Sequence, residues 1–194
     1  MSNKLVDICV NLTDDIFLGK EKKIIDAANK NNVSKMVLVG NDLESSKKVS
    51  VFAEEFNFIS TAGYHPHNAK DWNANSYECL LSILKKGHVK AVGECGLDFN
   101  RNFSTPEIQH SVFLEHINLA KQTNLPLFIH ERDAFHQMVG ILKDNINDCK
   151  NMVVHCFTGT KNALIDYLDL GVHIGLTGWI CDDRRGKHLR DFIN

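Results

Sequence analysis

The chain has 194 residues, of which 43% are hydrophobic and 24% are charged, and its formal net charge is −2. This composition is typical of a soluble globular protein, and the length is sufficient for one domain with its own core, which we predict over residues 1–194. No run of about 18 apolar residues occurs, so a membrane-spanning helix is excluded. The slightly acidic balance argues against a protein that coats duplex DNA through many phosphate contacts.

The cysteine pattern and the N-terminal segment indicate the cellular compartment of the protein. None of the six cysteines forms a C-x-x-C pair, which argues against a zinc knuckle or a thioredoxin motif. The N-terminal segment has a short apolar run followed directly by acidic residues, unlike a signal peptide. We therefore predict a reduced, cytoplasmic protein with no membrane partner.

Apolar strand-like runs alternate with helical patterns along the whole chain. In chain order, we predict strand 5–10, helix 22–31, strand 35–39, helix 43–56, strands 58–62 and 89–93, helix 104–124, strands 125–129 and 152–154, a helix from 160 to 171, and strand 172–176. The helix at 104–124 has the clearest start, because Ser104 as N-cap and Glu107 would form a capping box with Pro106 in the first turn.

This alternation predicts an α/β fold in which parallel strands are covered on both faces. A doubly wound sheet is one alternative, but no G-x-G-x-x-G turn occurs. A TIM (β/α)₈ barrel fits better, because polar residues of interest recur at many strand ends. The chain provides about seven of the eight strands that such a barrel needs, so we expect a barrel that is incomplete at its C-terminus.

Four successive predicted strands are followed by imidazole or carboxylate side chains. These are His65, Glu94, His130 and His155. Since the carboxyl ends of barrel strands meet at one face, we expect these side chains to converge. A Glu with two His is a good ligand set for a divalent cation and leaves positions open for water and substrate. The expected chemistry is therefore metal-assisted hydrolysis.

The other histidines have simpler interpretations. We expect His67 only to flank Pro66 and to bind nothing. The remaining ones are predicted to be surface or packing residues, at positions 88, 110, 116, 136, 173 and 188.

Six stretches together resemble the TatD family of metal-dependent deoxyribonucleases. They cover nearly the whole chain and read DICVNLTD, STAGYHPH, VGECGLDFNRNFSTPE, PLFIHERDA, HCFTGT and GLTGWICDDRRG. The resemblance implies a TIM barrel of the metal-dependent hydrolase type. It also implies a magnesium-dependent 3′–5′ exonuclease that acts on single-stranded DNA and RNA, with a role in DNA repair or degradation.

The resemblance also implies roles for individual residues. Glu94, His130 and His155 match the family's metal ligands, and His65 matches a catalytic histidine near the metal that faces water or phosphate. Arg132 is expected to bind a substrate phosphate, since a guanidinium suits that geometry. Magnesium is the expected cation, with manganese and zinc as alternatives.

Two departures from the family pattern stand out. The wider family has H-x-H on its first strand, where this chain has Cys9 and Asn11; we interpret Cys9 as a buried filler, with a thiolate near the metal as the alternative. The family also continues into an eighth strand that ends in E-T-D-x-P, whereas this sequence ends at LRDFIN. We therefore expect exposed strand edges and self-association through them, although the family itself is monomeric.

Two alternative functions remain open. One is a related barrel hydrolase that acts on a small ester, amide or phosphotriester. The other is a truncated, inactive remnant that binds metal or nucleic acid without cleaving it.

Overall fold

Seven parallel strands form one sheet in the computed structural model, which describes residues 4–149 and 151–193. Their order in the sheet is their order in the chain, so each strand pairs only with its sequence neighbours. This arrangement confirms the predicted α/β barrel class. The strands are β1 (Leu5–Val10), β2 (Val33–Leu38), β3 (Ile59–Ala62), β4 (Val89–Asp98), β5 (Leu127–Arg132), β6 (Met152–His155) and β7 (His173–Ile174).

Helices connect the strands, as parallel pairing requires. They are α1 (Glu21–Lys30), α2 (Leu43–Glu55), α3 (Ser76–Leu84), α4 (Pro106–Thr123), α5 (Phe135–Asn145), α6 (Lys161–Asp169) and α7 (Lys187–Arg190). Short 3₁₀ turns cover Asp15–Phe17, Pro66–Asp71 and Gly178–Cys181. Among the helices of the described residues, none is long and apolar enough to cross a membrane.

The predicted start of α4 is wrong by one residue. Thr105, not Ser104, is the N-cap, and its side chain accepts a hydrogen bond from the backbone N–H of Ile108. The hydroxyl of Ser104 instead accepts a hydrogen bond from the Lys70 N–H and donates one to the His67 carbonyl. Ser104 therefore joins the α4 entrance to the turn that follows β3.

Strand β4 continues five residues beyond its predicted end. Its second half pairs with β5 in register, from Cys95 opposite Ile129 to Asp98 opposite Arg132. The ladder therefore extends past Glu94, which lies inside the strand and not after it. Glu94 itself lies at an irregularity of this ladder, between the Val92 and Cys95 pairs, and its backbone N–H donates to the Gly40 carbonyl.

The apolar core is divided into two clusters. The larger lies between the sheet and helices α3 to α6, and the smaller lies between β2 and helices α1 and α2. The buried members of the smaller cluster are Leu12, Ile25, Met36, Leu38, Val49, Ala53 and Phe58. The prediction that the strands are covered on both faces is wrong for β1, because Leu5, Val6 and Ile8 are exposed and Val10 is the β1 residue that packs against this cluster.

A groove separates the two outer strands of the sheet. It has a volume of about 460 Å³ and is lined by β1 residues on one side and by residues 175–178 on the other. Strands β1 and β7 are the edges of the sheet in the described part of the chain. Self-association through these edges stays a prediction.

Candidate metal centre

The four residues predicted to converge do lie together. Glu94 is on β4, His130 on β5 and His155 at the end of β6, whereas His65 directly precedes the 3₁₀ turn after β3. They line one open cavity of about 340 Å³ at the carboxyl face of the sheet. The other lining residues are Cys9, Asn11, Asn41, His67, Asn68 and Cys156.

Glu94 is the centre of the cluster. Its Oε1 atom lies 2.6 Å from Nε2 of His155, 3.2 Å from Nδ1 of His130 and 3.5 Å from Nε2 of His65. The residue is only 4% exposed. A buried carboxylate among three imidazoles is a compact set of oxygen and nitrogen donors, and such donors suit a divalent cation.

Sequence reasoning missed Asp98, and His67, which was predicted only to flank Pro66, also lines the cavity and contacts Asp98. The Oδ2 atom of Asp98 lies 3.1 Å from Nε2 of His130 and 2.8 Å from Nε2 of His67. Its Oδ1 atom accepts hydrogen bonds from the backbone N–H groups of Asn100 and Arg101. Asp98 therefore fixes the orientation of the His130 and His67 rings. Carboxylates that hydrogen-bond to metal-binding histidines commonly have this role.

The charges in the cluster stabilise one another. Burial would raise the pKa of Glu94, but the charge of His155 and a hydrogen bond from His130 hold it well below its usual range. Burial would lower the pKa of His130, but hydrogen bonds to Asp98 and Glu94 raise it to about 9. The carboxylates are therefore ionised at neutral pH, as metal ligands must be.

His65 differs from the other imidazoles in its protonation. Burial lowers its pKa to about 3, so the ring is neutral at neutral pH. Its Nδ1 atom accepts a hydrogen bond from the His67 backbone N–H, which places the ring proton on Nε2. That Nε2 atom faces Glu94 and lies 3.2 Å from His130. His65 is thus arranged as a hydrogen-bond donor toward the cluster.

Within the described residues, two overlapping groups of side chains could hold a cation, and neither contains all of Glu94, His130 and His155. One consists of His65, Glu94 and His130, and the other consists of Cys9, Glu94 and His155. Within each group, the donor atoms lie within 4.8 Å of one another. Glu94 belongs to both groups. Cys9 is half-buried, as expected of a small residue that only packs, but its sulfur lies near Glu94 and His155.

A second pocket adjoins the central cavity, and we call it the arginine pocket. It has a volume of about 270 Å³ and is lined by His130, Glu131, Arg132, His155, Cys156, Thr158, Trp179, Arg184, Arg185 and His188. The guanidinium of Arg132 makes no hydrogen bond or ion pair within the described residues. The guanidinium carbon of Arg185 lies 4.1 Å from the centre of the Trp179 ring. Two cationic groups therefore border the cluster without a carboxylate partner.

Comparison with known protein families identifies the family of this chain. The family model described as TatD related DNase matches residues 6–194. The chain belongs to the TatD family. The resemblance seen in the six sequence stretches is thereby confirmed, and so is the expected TIM-barrel class.

Curated TatD relatives are similar over almost the whole chain. The 3′-5′ ssDNA/RNA exonuclease TatD of Erwinia amylovora is 42% identical over 191 residues, which cover 97% of this chain and 74% of the relative. The protein of the same name from Citrobacter koseri is 37% identical over 190 residues, with 97% and 73% covered.

Solved TatD structures share the fold. The TatD homologue YJJV of Escherichia coli K12 superposes with a TM-score of 0.89 at 29% identity, covering 96% of this chain and 73% of that one. A TatD family hydrolase of Entamoeba histolytica gives a TM-score of 0.84 at 28% identity, covering 92% and 66%. The seven-stranded sheet is therefore the TatD arrangement.

Proposed function

We propose that this chain is a divalent-metal-dependent nuclease that removes nucleotides from the 3′ end of single-stranded DNA or RNA. The observation that carries this proposal is the buried Glu94 carboxylate among His130, His155 and His65, within a TatD fold. The relatives named 3′-5′ ssDNA/RNA exonuclease support the substrate class and the direction. All six cysteines are free, which fits activity in the reducing cytoplasm. A role in DNA repair or degradation would follow from the exonuclease activity.

We assign the cation to Glu94, His130 and His155. The donor set fits such an ion, because one carboxylate and two imidazoles leave positions free for water and substrate. The Nε2 atom of His155 and the Nδ1 atom of His130 both face Oε1 of Glu94, so donor atoms of the three residues converge. Magnesium is the proposed ion, with manganese and zinc as alternatives. When bound, the cation would polarise a phosphoryl oxygen and lower the pKa of a bound water.

The remaining side chains would position the reacting groups. Asp98 holds the His130 ring through Nε2, so that its Nδ1 atom faces Glu94. We propose that His65 donates its Nε2 proton in a hydrogen bond to a phosphate oxygen or to the attacking water. Its low pKa keeps it neutral, so it would not repel the cation.

The arginine pocket is the proposed path of the nucleic acid strand. A phosphate bound by Arg132 would lie next to His130 and His155, because all three line the same pocket. Arg185 lies over the Trp179 ring, and together they offer a flat cationic surface on which a base can stack. The pocket would thus contact the phosphate backbone and a base of the nucleic acid without recognising a specific nucleotide sequence.

We expect Arg132→Ala to raise the KM for single-stranded DNA about tenfold or more, with a smaller change in kcat. A charge-assisted hydrogen bond to phosphate contributes about 1.5–3 kcal/mol, and this one would act on substrate and transition state alike. Steady-state kinetics on a short oligonucleotide measure both constants. Lys22→Ala, which removes one exposed positive charge from α1, is the matched control. An unchanged KM in Arg132→Ala would remove this residue from substrate binding.

The proposed function is tested with end-labelled single-stranded oligonucleotides. With magnesium and a 5′ label, we expect a ladder that shortens from the 3′ end, and no cleavage after EDTA treatment. A 3′-terminal block should stop the reaction. Cleavage that persists in EDTA would contradict the metal mechanism. Turnover of a simple aryl phosphodiester without any cleavage of oligonucleotides would favour the small-molecule hydrolase.

A further inference from the structure

Phe103 is an exposed aromatic side chain at the rim of the central cavity. Among the aromatic residues that the structure describes, it alone is largely exposed, at 56%. Its ring meets the ring of His67 edge to face, with 4.8 Å between the ring centres. His67 itself lines the cavity that contains the metal centre. Any group that binds at the centre therefore lies close to an uncovered aromatic surface.

The loop that carries Phe103 is fixed on both sides of the ring. Ahead of Phe103, the backbone N–H of Arg101 donates to the Asp98 carboxylate. Behind it, the hydroxyl of the buried Ser104 donates to the His67 carbonyl over 3.1 Å. A ring that is held in place before a ligand arrives loses little freedom on binding, which favours affinity.

A positive charge accompanies the ring. Arg101 is exposed two residues before Phe103, and its guanidinium makes no hydrogen bond or ion pair within the described residues. An aromatic surface beside a free cation is the combination that binds single-stranded nucleic acid, because bases stack on the ring and phosphates are attracted to the charge.

Phe103 and the arginine pocket lie on different sides of the metal centre. Phe103 contacts the turn after β3, whereas the arginine pocket is lined by residues of β5, β6 and the segment after β7. Glu94 lies between them, because it contacts His65 on one side and His130 and His155 on the other. A strand with its scissile phosphate at the centre would therefore extend to both sides.

We infer that Phe103 and Arg101 form the site of the 3′-terminal nucleoside. Its base would stack on the Phe103 ring, while the preceding phosphate lies at the metal centre and the upstream strand occupies the arginine pocket. The inference rests on the proposed function, because it needs a single strand whose 3′ end reaches the centre. Stacking tolerates every base, so the site requires a base without selecting which one.

The test combines Phe103→Ala with removal of the terminal base. The substrates are a single-stranded oligonucleotide and the same strand with an abasic tetrahydrofuran residue at its 3′ end. We expect wild type to remove the normal residue with a kcat/KM about tenfold higher, since base stacking corresponds to about 5- to 150-fold in affinity. Phe103→Ala should lose this preference, and Phe103→Trp should keep it. Leu168→Ala, which removes a similarly exposed apolar side chain from α6, should match wild type.

Calorimetric titration with deoxyadenosine 5′-monophosphate in Mg²⁺ adds a readout that needs no cleavage. Phe103→Ala should bind this nucleotide at least about fivefold more weakly than wild type, but should bind deoxyribose 5-phosphate equally well. Circular dichroism confirms that each variant is folded.

The outcomes separate this site from the nuclease proposal. Wild-type protein that removes the abasic residue as fast as the normal one would overturn the site. A Phe103→Ala protein that loses activity equally on both substrates would do the same, because the ring would then only support His67. Oligonucleotide cleavage in either case leaves the proposed function standing. Phe103-dependent nucleotide binding by a protein that cleaves no oligonucleotide would support the site and count against the nuclease.

Discussion

Replacing Glu94 with Gln should abolish magnesium-dependent nuclease activity, with a loss of at least about a hundredfold in kcat/KM. Substitutions that only touch the neighbours of metal ligands already cost about 10–100-fold. Glu94 has a more central place, because its Oε1 atom lies within 3.5 Å of nitrogen atoms of three imidazoles. The neutral amide keeps the shape of the side chain but removes the charge that holds a cation.

Kinetics on a single-stranded oligonucleotide and calorimetric titration with Mn²⁺ measure this effect. We expect activity and cation affinity to fall together. Glu78→Gln is the matched control, because this substitution makes the same chemical change at an exposed position on α3, away from the cavity. A Glu94→Gln protein that binds Mn²⁺ with unchanged affinity would refute the assignment of this carboxylate as a ligand.

Gly96→Ala should destabilise the fold by about 3–5 kcal/mol, out of a total of about 5–15 kcal/mol. Gly96 has a φ of +135°, where side chains are strained, and a Cβ there would overlap the backbone carbonyl oxygen of His130. Neither backbone can move away easily, since Gly96 and His130 are register partners in the β4–β5 ladder. The strain would therefore fall directly on a strand that carries the metal centre.

Urea unfolding followed by circular dichroism measures the change. Gly140→Ala is the control, because Gly140 is exposed within α5 and its added Cβ would meet no atom within 4 Å. That substitution should be neutral or stabilise by about 0.5–1 kcal/mol, as alanine favours helix. Equal stability of Gly96→Ala and wild type would show that β4 and β5 can separate without loss.

Much of the fold could be predicted because its strands are apolar on both faces. All seven predicted strands exist, and β1 has its predicted bounds. Helix α3 was not predicted, and the other errors lie at element ends, where apolarity is a weak guide. Strand β4 extends to Asp98 because backbone pairing with β5 continues through glycine and polar residues. Strand β7 spans only His173–Ile174, although the predicted strand was 172–176. The apolar run in the sequence does not show how many of its residues pair with β6.

The candidate site was predictable where side chains follow strands. Glu94, His130 and His155 were found by that rule, and the structure brings them together. Asp98 was missed, although a carboxylate at the end of an apolar stretch was a usable signal. The contact of Cys9 with Glu94 and His155 had no local signal, because it depends on how the sheet curls between β1 and β6.

Cys9 lies on the outermost strand, and this location has a consequence for local opening. Strand β1 pairs only with β2 among the described strands, and its Leu5, Val6 and Ile8 side chains are exposed, so it is expected to exchange its amide hydrogens sooner than β4. Opening of β1 would widen the groove next to His155 and leave the pairing of β4, β5 and β6 unbroken.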